Sequence, residues 1–133
     1  MKVLLDTHVW IWSQEQPEKL GRSAARLLIS SEHTNCVSTI STLEIARLMW
    51  AGYISLSMPL QDWIQQSLAG LVAETIPITH QSAVEAYALP GEFHQDPADR
   101  LLVATARCLG LSLMTADDRI LNYHGVRTIH ASH

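Results

Sequence analysis

Asp6, Glu44, Asp99 and Asp117 are the residues of this chain whose types and placing point to chemistry. Each falls where the sequence pattern ends a strand or begins a helix. If the strands run parallel, these carboxyls come to one edge of one sheet. Carboxylates gathered with no lysine among them repel one another and stabilise nothing, but they suit a hard divalent cation, which takes oxygen ligands. Mg²⁺ or Mn²⁺ matches that donor set. The chemistry such an ion supplies is acidified water and stabilised charge on a phosphoryl oxygen, so no covalent nucleophile is required. Helix starts read at Ser41 and Asp96 would add partial positive charge near a bound phosphate.

Every one of these acids also has an ordinary structural role open to it. Asp6 directly follows an apolar strand and could terminate it as a turn residue. Ser41-Thr42-Leu43-Glu44 fits a capping box, with serine at the cap and glutamate at the third helical position. Asp96-Pro97-Ala98-Asp99 has the same spacing, and Asp117 or Asp118 can open a short helix by capping it. One such coincidence would say little; the set, converging on one edge, favours a site.

The elements that must position these acids alternate along the chain. Lys2 to Leu5 reads as a short apolar strand. Val9 to Trp12 begin a helix limited by Pro17, and Ser23 to Ser31 form a second, with Ala24, Leu27 and Leu28 on one face. Asn35 to Thr39 is a β-branched strand. Ser41 opens a long helix through Trp50, closed by Gly52. Pro59 to Leu71 is a further helix, Glu74 to Ile78 a strand, and Gln81 to Leu89 a short helix. Asp96-Pro97 opens a helix through Leu109, with proline at its first position and Gly110 at its end. Ser112 to Thr115 is a strand, Asp117 to Tyr123 a short helix, and Val126 to Ile129 the last strand. Strands alternating with helices predict an α/β sandwich on a mainly parallel sheet, whose site lies beyond the carboxyl ends of the strands.

Bulk properties bound the reading. A chain of 133 residues with 47% hydrophobic content makes one domain over residues 1–133, with one good core. No stretch approaches the roughly 18 apolar residues of a membrane span, and no leader segment is evident. Cys36 and Cys108 lie in apolar runs without partner spacing and read as buried thiols of a reducing compartment, hence a cytoplasmic protein. A formal charge of −4 supplies no basic footprint for broad nucleic-acid binding. It leaves room for a nuclease, because metal ions neutralise an acidic site.

At this point the residues resemble a family. Leu4-Leu5-Asp6-Thr7-His8, Val37-Ser38-Thr39-Ile40-Ser41 with Glu44, Asp99-Arg100-Leu101-Leu102-Val103-Ala104-Thr105-Ala106, and Leu113-Met114-Thr115-Ala116-Asp117 look like the motifs of PIN-domain ribonucleases, in the family's order. Within it, the chain is similar to VapC-type toxins of toxin–antitoxin pairs. The resemblance implies a PIN-like three-layer α/β/α sandwich. It makes Asp6, Glu44, Asp99 and Asp117 the catalytic and metal-binding acids, with Thr115 a polar support and Asp96 a second choice beside Asp99. It further implies Mg²⁺- or Mn²⁺-dependent endoribonuclease cleavage of structured RNA, a homodimer, and neutralisation by a small antitoxin protein. His8 departs from the asparagine frequent after Asp-Thr in the wider family.

The remaining residues carry less. His8, His33, His80, His94, His124, His130 and His133 show no zinc-ligand spacing. Arg47, one turn after Glu44, could pair with it or touch phosphate; Arg100 and Arg119 could meet RNA or stay solvated. Trp10, Trp12, Trp50 and Trp63 read mostly as core, with Trp10 and Trp12 able to line a groove for an antitoxin helix or a second protomer. A phosphoacceptor receiver domain also gathers aspartates at a sheet edge, but it needs a lysine near a late strand, and the lysines here are Lys2 and Lys19. A haloacid-dehalogenase-like phosphatase needs an aspartate where His8 stands. No Gly-rich phosphate loop supports a nucleotide fold. A catalytically inactive PIN scaffold that only binds a partner is disfavoured by the intact acid set.

Overall fold

A computed structural model describes all residues, 1–133, and the elements follow from the apolar pattern almost throughout. Five strands, β1 (Lys2–Leu5), β2 (Thr34–Ser38), β3 (Glu74–Ile76), β4 (Ser112–Thr115) and β5 (Thr128–His130), form one sheet in the order β3-β2-β1-β4-β5. Every neighbouring pair is parallel, with Leu4 opposite both Cys36 and Leu113. The helices are α1 (Thr7–Glu15), α2 (Arg22–Ile29), α3 (Thr39–Trp50), α4 (Leu60–Leu71), α5 (His80–Glu85), α6 (Pro97–Leu109) and α7 (Asp118–Leu121), with a 3₁₀ turn at Pro17–Lys19.

Strands buried on both faces must be apolar on both, and these are. Val3, Leu5, Val37 and Met114 point into one core with Val9, Trp10, Ile45 and Trp63. Their neighbours Leu4, Cys36 and Leu113 point into the opposite core with Leu101, Leu102, Val103 and Ile120. The result is the expected three-layer α/β/α sandwich, with helices over each face of the sheet.

Topology decides where a site can form. The chain builds outward from β1 to β2 and β3, then returns to the other side of β1 for β4 and β5. Strand order reverses between β1 and β4, and such a switch point leaves a crevice beyond the strands' carboxyl ends. Asp6 follows β1, Asp117 follows β4, and α3 starts directly after β2. The Asp6 N–H donates to the Met114 carbonyl at 2.9 Å, which carries the β1–β4 pairing one residue further and locks Asp6 at the rim.

Boundaries differ from the expected ones by a few residues. β3 stops at Ile76, ahead of Pro77, which has no N–H to offer a ladder. β5 runs from Thr128 to His130, two residues later than expected, in register with Leu113 to Thr115. Helix α5 ends at Glu85 although the apolar spacing continues to Leu89. The largest correction concerns α3. Ser38, not Ser41, caps it, accepting from the Ile40 N–H at 3.1 Å, so the helix begins at Thr39. The capping box proposed for Ser41 and Glu44 does not exist.

The tryptophans divide. Trp10 and Trp63 are fully buried and pack together at 5.0 Å, and the Trp10 indole donates to Ser67 Oγ at 3.0 Å. Trp10 is therefore core, and no groove residue. Trp50 is the opposite, 88% exposed at the end of α3. Cys36 is buried, whereas Cys108 is only partly covered; both are free thiols.

Candidate active site

A cavity of about 290 Å³ opens at the carboxyl edge of the sheet. It is lined by Asp6, Glu44, Asp96, Asp99 and Asp117, together with His8, Trp12, Ala116 and Arg119. Every acid singled out in the sequence thus reaches one place. The two readings of those acids turn out not to compete. Asp6 caps α1, Asp96 caps α6 by accepting from the Asp99 N–H at 3.0 Å, and Asp117 caps α7 by accepting from the Arg119 N–H at 2.8 Å. Asp6 and Asp117 sit where a strand hands over to a helix, and in a parallel sheet those handovers share an edge; Asp96 reaches the same edge from the loop before α6. Glu44, whose capping role looked the strongest in sequence, caps nothing. It projects from the second turn of α3 as a half-buried lining residue.

Asp6 is held by neutral donors. The Thr7 N–H donates to Oδ1 at 2.7 Å, and the Thr115 hydroxyl donates to Oδ2 at 2.7 Å. Thr115 in turn accepts from the Asp117 N–H at 3.0 Å, so this fully buried threonine fixes two acids at once. Its hydroxyl is committed, which fits a supporting role. Thr7 Oγ1 donates to Ser41 Oγ at 2.9 Å, clamping α1 to α3 one turn before Glu44. Burial nevertheless raises the Asp6 carboxyl above its ordinary value, against the lowering effect of the Thr115 bond.

Asp99 carries the clearest electrostatic signature. It stands in the first turn of α6, 8% exposed. Burial, then the charges of Asp6, Asp96, Asp117 and Glu44, push its carboxyl up to about 8. Its Oδ2 lies 3.0 Å from His94 Nε2, off the line a hydrogen bond needs, and 3.6 Å from Arg119 Nη2. His94 Nδ1 accepts from the Asp96 N–H at 3.3 Å, and burial followed by the Arg119 charge lowers this imidazole, so it stands neutral at pH 7. Asp117 is driven the other way: the two-pronged bond from Arg119 holds its carboxyl below the ordinary range.

The donor set is suited to a hard cation. It is all oxygen, it carries more negative charge than its surroundings neutralise, and the raised carboxyl of Asp99 registers that excess. As the side chains stand, no three of them close on a single point, as carboxylates that repel one another will not.

Sequence reasoning missed His94. It sits in an irregular loop five residues before Asp99, with no spacing to mark it, and only folding of residues 90–96 against α6 brings it to the acids. Arg119, which the sequence leaves able to meet RNA or stay solvated, stands across Asp117, a place readable from the Asp-x-Arg spacing at a helix start. Arg100 does not face the cavity as a free cation: it donates to the carbonyls of Ala86, Phe93 and His94 and lies over the Tyr87 ring. Arg47 stays exposed and pairs with no acid, Glu44 included.

Residues 3–125 match the PIN domain family model. The chain belongs to the PIN-domain family. It is 40% identical over 129 residues to ribonuclease VapC22 of Mycobacterium tuberculosis, covering 96% of this chain and 95% of that protein. Its fold is similar to that of VapBC2 from Rickettsia felis, solved with a promoter DNA fragment, at a TM-score of 0.70, 15% identity and coverage of 97% and 98% of the two chains. FitAcB from Neisseria gonorrhoeae matches at a TM-score of 0.64 and 20% identity, over 98% of this chain and 99% of that one. At those identities the solved structures show the fold alone. No helix of the chain is long and apolar enough to cross a membrane.

Proposed function

We propose that this protein is a divalent-metal-dependent endoribonuclease and the toxin of a toxin–antitoxin pair. The observation that carries the chemistry is the convergence of Asp6, Glu44, Asp99 and Asp117, with Asp96, on one cavity at the switch point of the sheet. The similarity to ribonuclease VapC22 over nearly both full lengths supports RNA as the substrate. Asp6, Asp99, Asp117 and Glu44 would hold Mg²⁺ or Mn²⁺, with Asp96 placed to assist. A bound ion of this kind supplies acidified water and charge neutralisation at the phosphoryl oxygens.

The chain's own residues do the rest. Thr115 fixes the spacing of Asp6 and Asp117, and the Thr7–Ser41 bond sets α3 so that Glu44 faces them. His94 stands beside Asp99, its Nε2 3.0 Å from Oδ2, and flanks that acid without adding charge to it. Arg119 and the helix starts offset charge on the RNA backbone. We assign Asp99, and not Asp96, as the main third acid, because Asp99 is buried and its carboxyl is raised by that burial and by the charges of the surrounding acids. Loop shape around the cavity, more than base-edge readout, suits selection of structured RNA.

A partner protein is supported by a neighbour of similar fold from Klebsiella pneumoniae, a toxin–antitoxin complex, and by exposed apolar side chains. Leu43, Trp50 and Tyr53 are 62%, 88% and 75% exposed on and after α3, which supports that surface, in preference to the buried Trp10, as the one an antitoxin or second protomer would cover.

The test is expression of the chain alone in a bacterial host, paired with cleavage of total RNA by purified protein. Growth arrest by the wild type, none by Asp6→Asn, and cleavage that needs Mg²⁺ or Mn²⁺ are expected. Soluble, active protein that leaves growth unaffected would favour a housekeeping nuclease. Cleavage undiminished by a chelator would remove the metal from the mechanism.

A further inference from the structure

Arg119 is the one guanidinium lining the acidic cavity. Its Nη2 donates to Asp117 Oδ2 at 2.9 Å and its Nε to Oδ1 at 3.2 Å, while Nη2 stands 3.6 Å from Asp99 Oδ2. The side chain therefore lies between two of the acids assigned above to the cation. We propose that Arg119 is a displaceable counter-ion of this site: it spans Asp117 and Asp99 until a divalent cation takes those carboxylates, then turns into the adjoining cavity and meets the RNA backbone. This inference rests on the cation reading of the acids.

The two halves of the site show why displacement falls on this residue. Asp6 is held by the Thr7 N–H and the Thr115 hydroxyl, neutral donors that have no quarrel with a cation beside them. Asp117 and Asp99 are held by a positive charge, and a guanidinium and a dication cannot share the same two carboxylates without strong repulsion. Arg119 is also free to leave. Its side chain is 60% exposed, and no element packs over it. At that exposure solvent and salt screen the pair, so a dication at the same carboxylates can compete with it.

It has a place to go. Arg119 also lines a neighbouring cavity of about 650 Å³ between the loop at Pro90–His94 and the segment Asn122–Gly125. That cavity holds a single acid, Glu92, against His94, His124 and Arg119. One of its walls is stiff: Tyr123 packs on Phe93 at 4.9 Å, its hydroxyl donates to the Pro90 carbonyl, and a side chain at Gly125 would collide with the ring. A guanidinium turned there faces a space roomy enough for a phosphate and its sugar, with little competing negative charge, where it would act as a positioning residue for the strand.

The test uses the full chain, stripped with a chelator and titrated with Mg²⁺ while arginine Nε–H signals are followed by ¹H–¹⁵N NMR. Loss of one signal in Arg119→Lys assigns it. The Arg119 signal should be protected from exchange in stripped protein and lose that protection along the same titration curve that raises the thermal midpoint. In parallel, Mn²⁺ affinity is measured by electron paramagnetic resonance. Arg119→Ala and Arg119→Lys should each bind about two- to fivefold more tightly than wild type, since both lack the two-pronged grip. At saturating Mn²⁺ the same variants should show a raised KM for RNA.

An Arg119 signal unchanged through Mg²⁺ saturation overturns the proposal. So does tighter binding in Arg119→Ala with Arg119→Lys equal to wild type, which would mean general charge repulsion. Weaker binding in both variants would make Arg119 a support of the site and overturn it too. If Mg²⁺ moves neither the midpoint nor any signal, the cation reading itself falls and takes this inference with it.

Discussion

The two edges of the sheet handle charge in opposite ways. At the amino end of the strands, Lys2 Nζ pairs with Glu74 Oε2 at 2.9 Å across an open surface, and Asn35 Nδ2 satisfies the carbonyls of Leu28 and Leu71. At the carboxyl end, five carboxyls share one cavity, facing one guanidinium and a neutral imidazole. The same residue types produce a quiet surface at one edge and an electrostatic excess at the other. What differs is not composition but topology: handovers from strand to helix fall on the second edge, and those after β1 and β4 bring the capping acids Asp6 and Asp117. Stability is served at the first edge and sacrificed at the second, as expected where function needs a poised site.

The largest effect should come from breaking the acid edge. Asp6→Asn, Glu44→Gln, Asp99→Asn and Asp117→Asn are each expected to cut single-turnover RNA cleavage by about 100-fold or more, with the fold kept. Asp96→Asn should lose less. An equal or larger loss at Asp96 than at Asp99 would reverse their assignment. Lys2→Ala, at the opposite edge, should cleave like wild type.

Next in size is the response to a cation. Mn²⁺ or Mg²⁺ at 100-fold above Kd should stabilise chelator-stripped protein by about 2.7 kcal/mol, a rise of several degrees in the midpoint. The Asp6→Asn/Asp99→Asn double variant should begin more stable than stripped wild type and gain little. Equal responses in thermal unfolding would leave these acids as helix caps alone.

A third prediction follows from Asp99. Its folded-state value, about 8, lies above its ordinary 3.8, so the folded protein keeps a proton that the unfolded chain releases. The group costs nothing below the unfolded value, and its penalty grows as pH rises toward the folded one. In chelator-stripped protein the stability advantage of Asp99→Asn over wild type should therefore open from about pH 4 and level off near pH 8. Its plateau should be about 2 kcal/mol, well short of the full shift because solvent and Arg119 screen the carboxyl. A gap constant across that range, measured by denaturant unfolding, would mean Asp99 titrates normally.

The smallest effects belong to the quiet edge. Val72 ends α4 in the left-handed region, φ 49°, a conformation unfavourable for a β-branched side chain, whereas α6 ends on Gly110 at φ 67°. Val72→Gly should gain about 1 kcal/mol, read by chemical denaturation. Breaking the Lys2–Glu74 pair, which solvent and salt screen, should leave stability close to that of wild type. A larger loss would mean the two edges differ less than their geometry suggests.

Much of this protein was determined by the sequence alone. Short apolar runs between amphipathic segments dictate parallel strands with helices over both faces, because a strand buried on both sides needs apolar residues throughout. An acid after each of β1 and β4, and others at the starts of helices, dictates a charged edge. Tertiary structure decided the rest. Ser38 took the cap of α3 because β2 delivers it in extended conformation, and that left Glu44 free to face the cavity. Trp10 went to the core because Ser67, on a distant helix, met its indole, and Trp50 was left to solvent because no element covers the end of α3. His94 beside Asp99 and Arg119 across Asp117 depend on packing and on side-chain direction. Local pattern can say that an acid stands at an edge; only the packed chain sets which charges lie within 4 Å of it, because that distance is fixed by contacts between residues far apart in sequence.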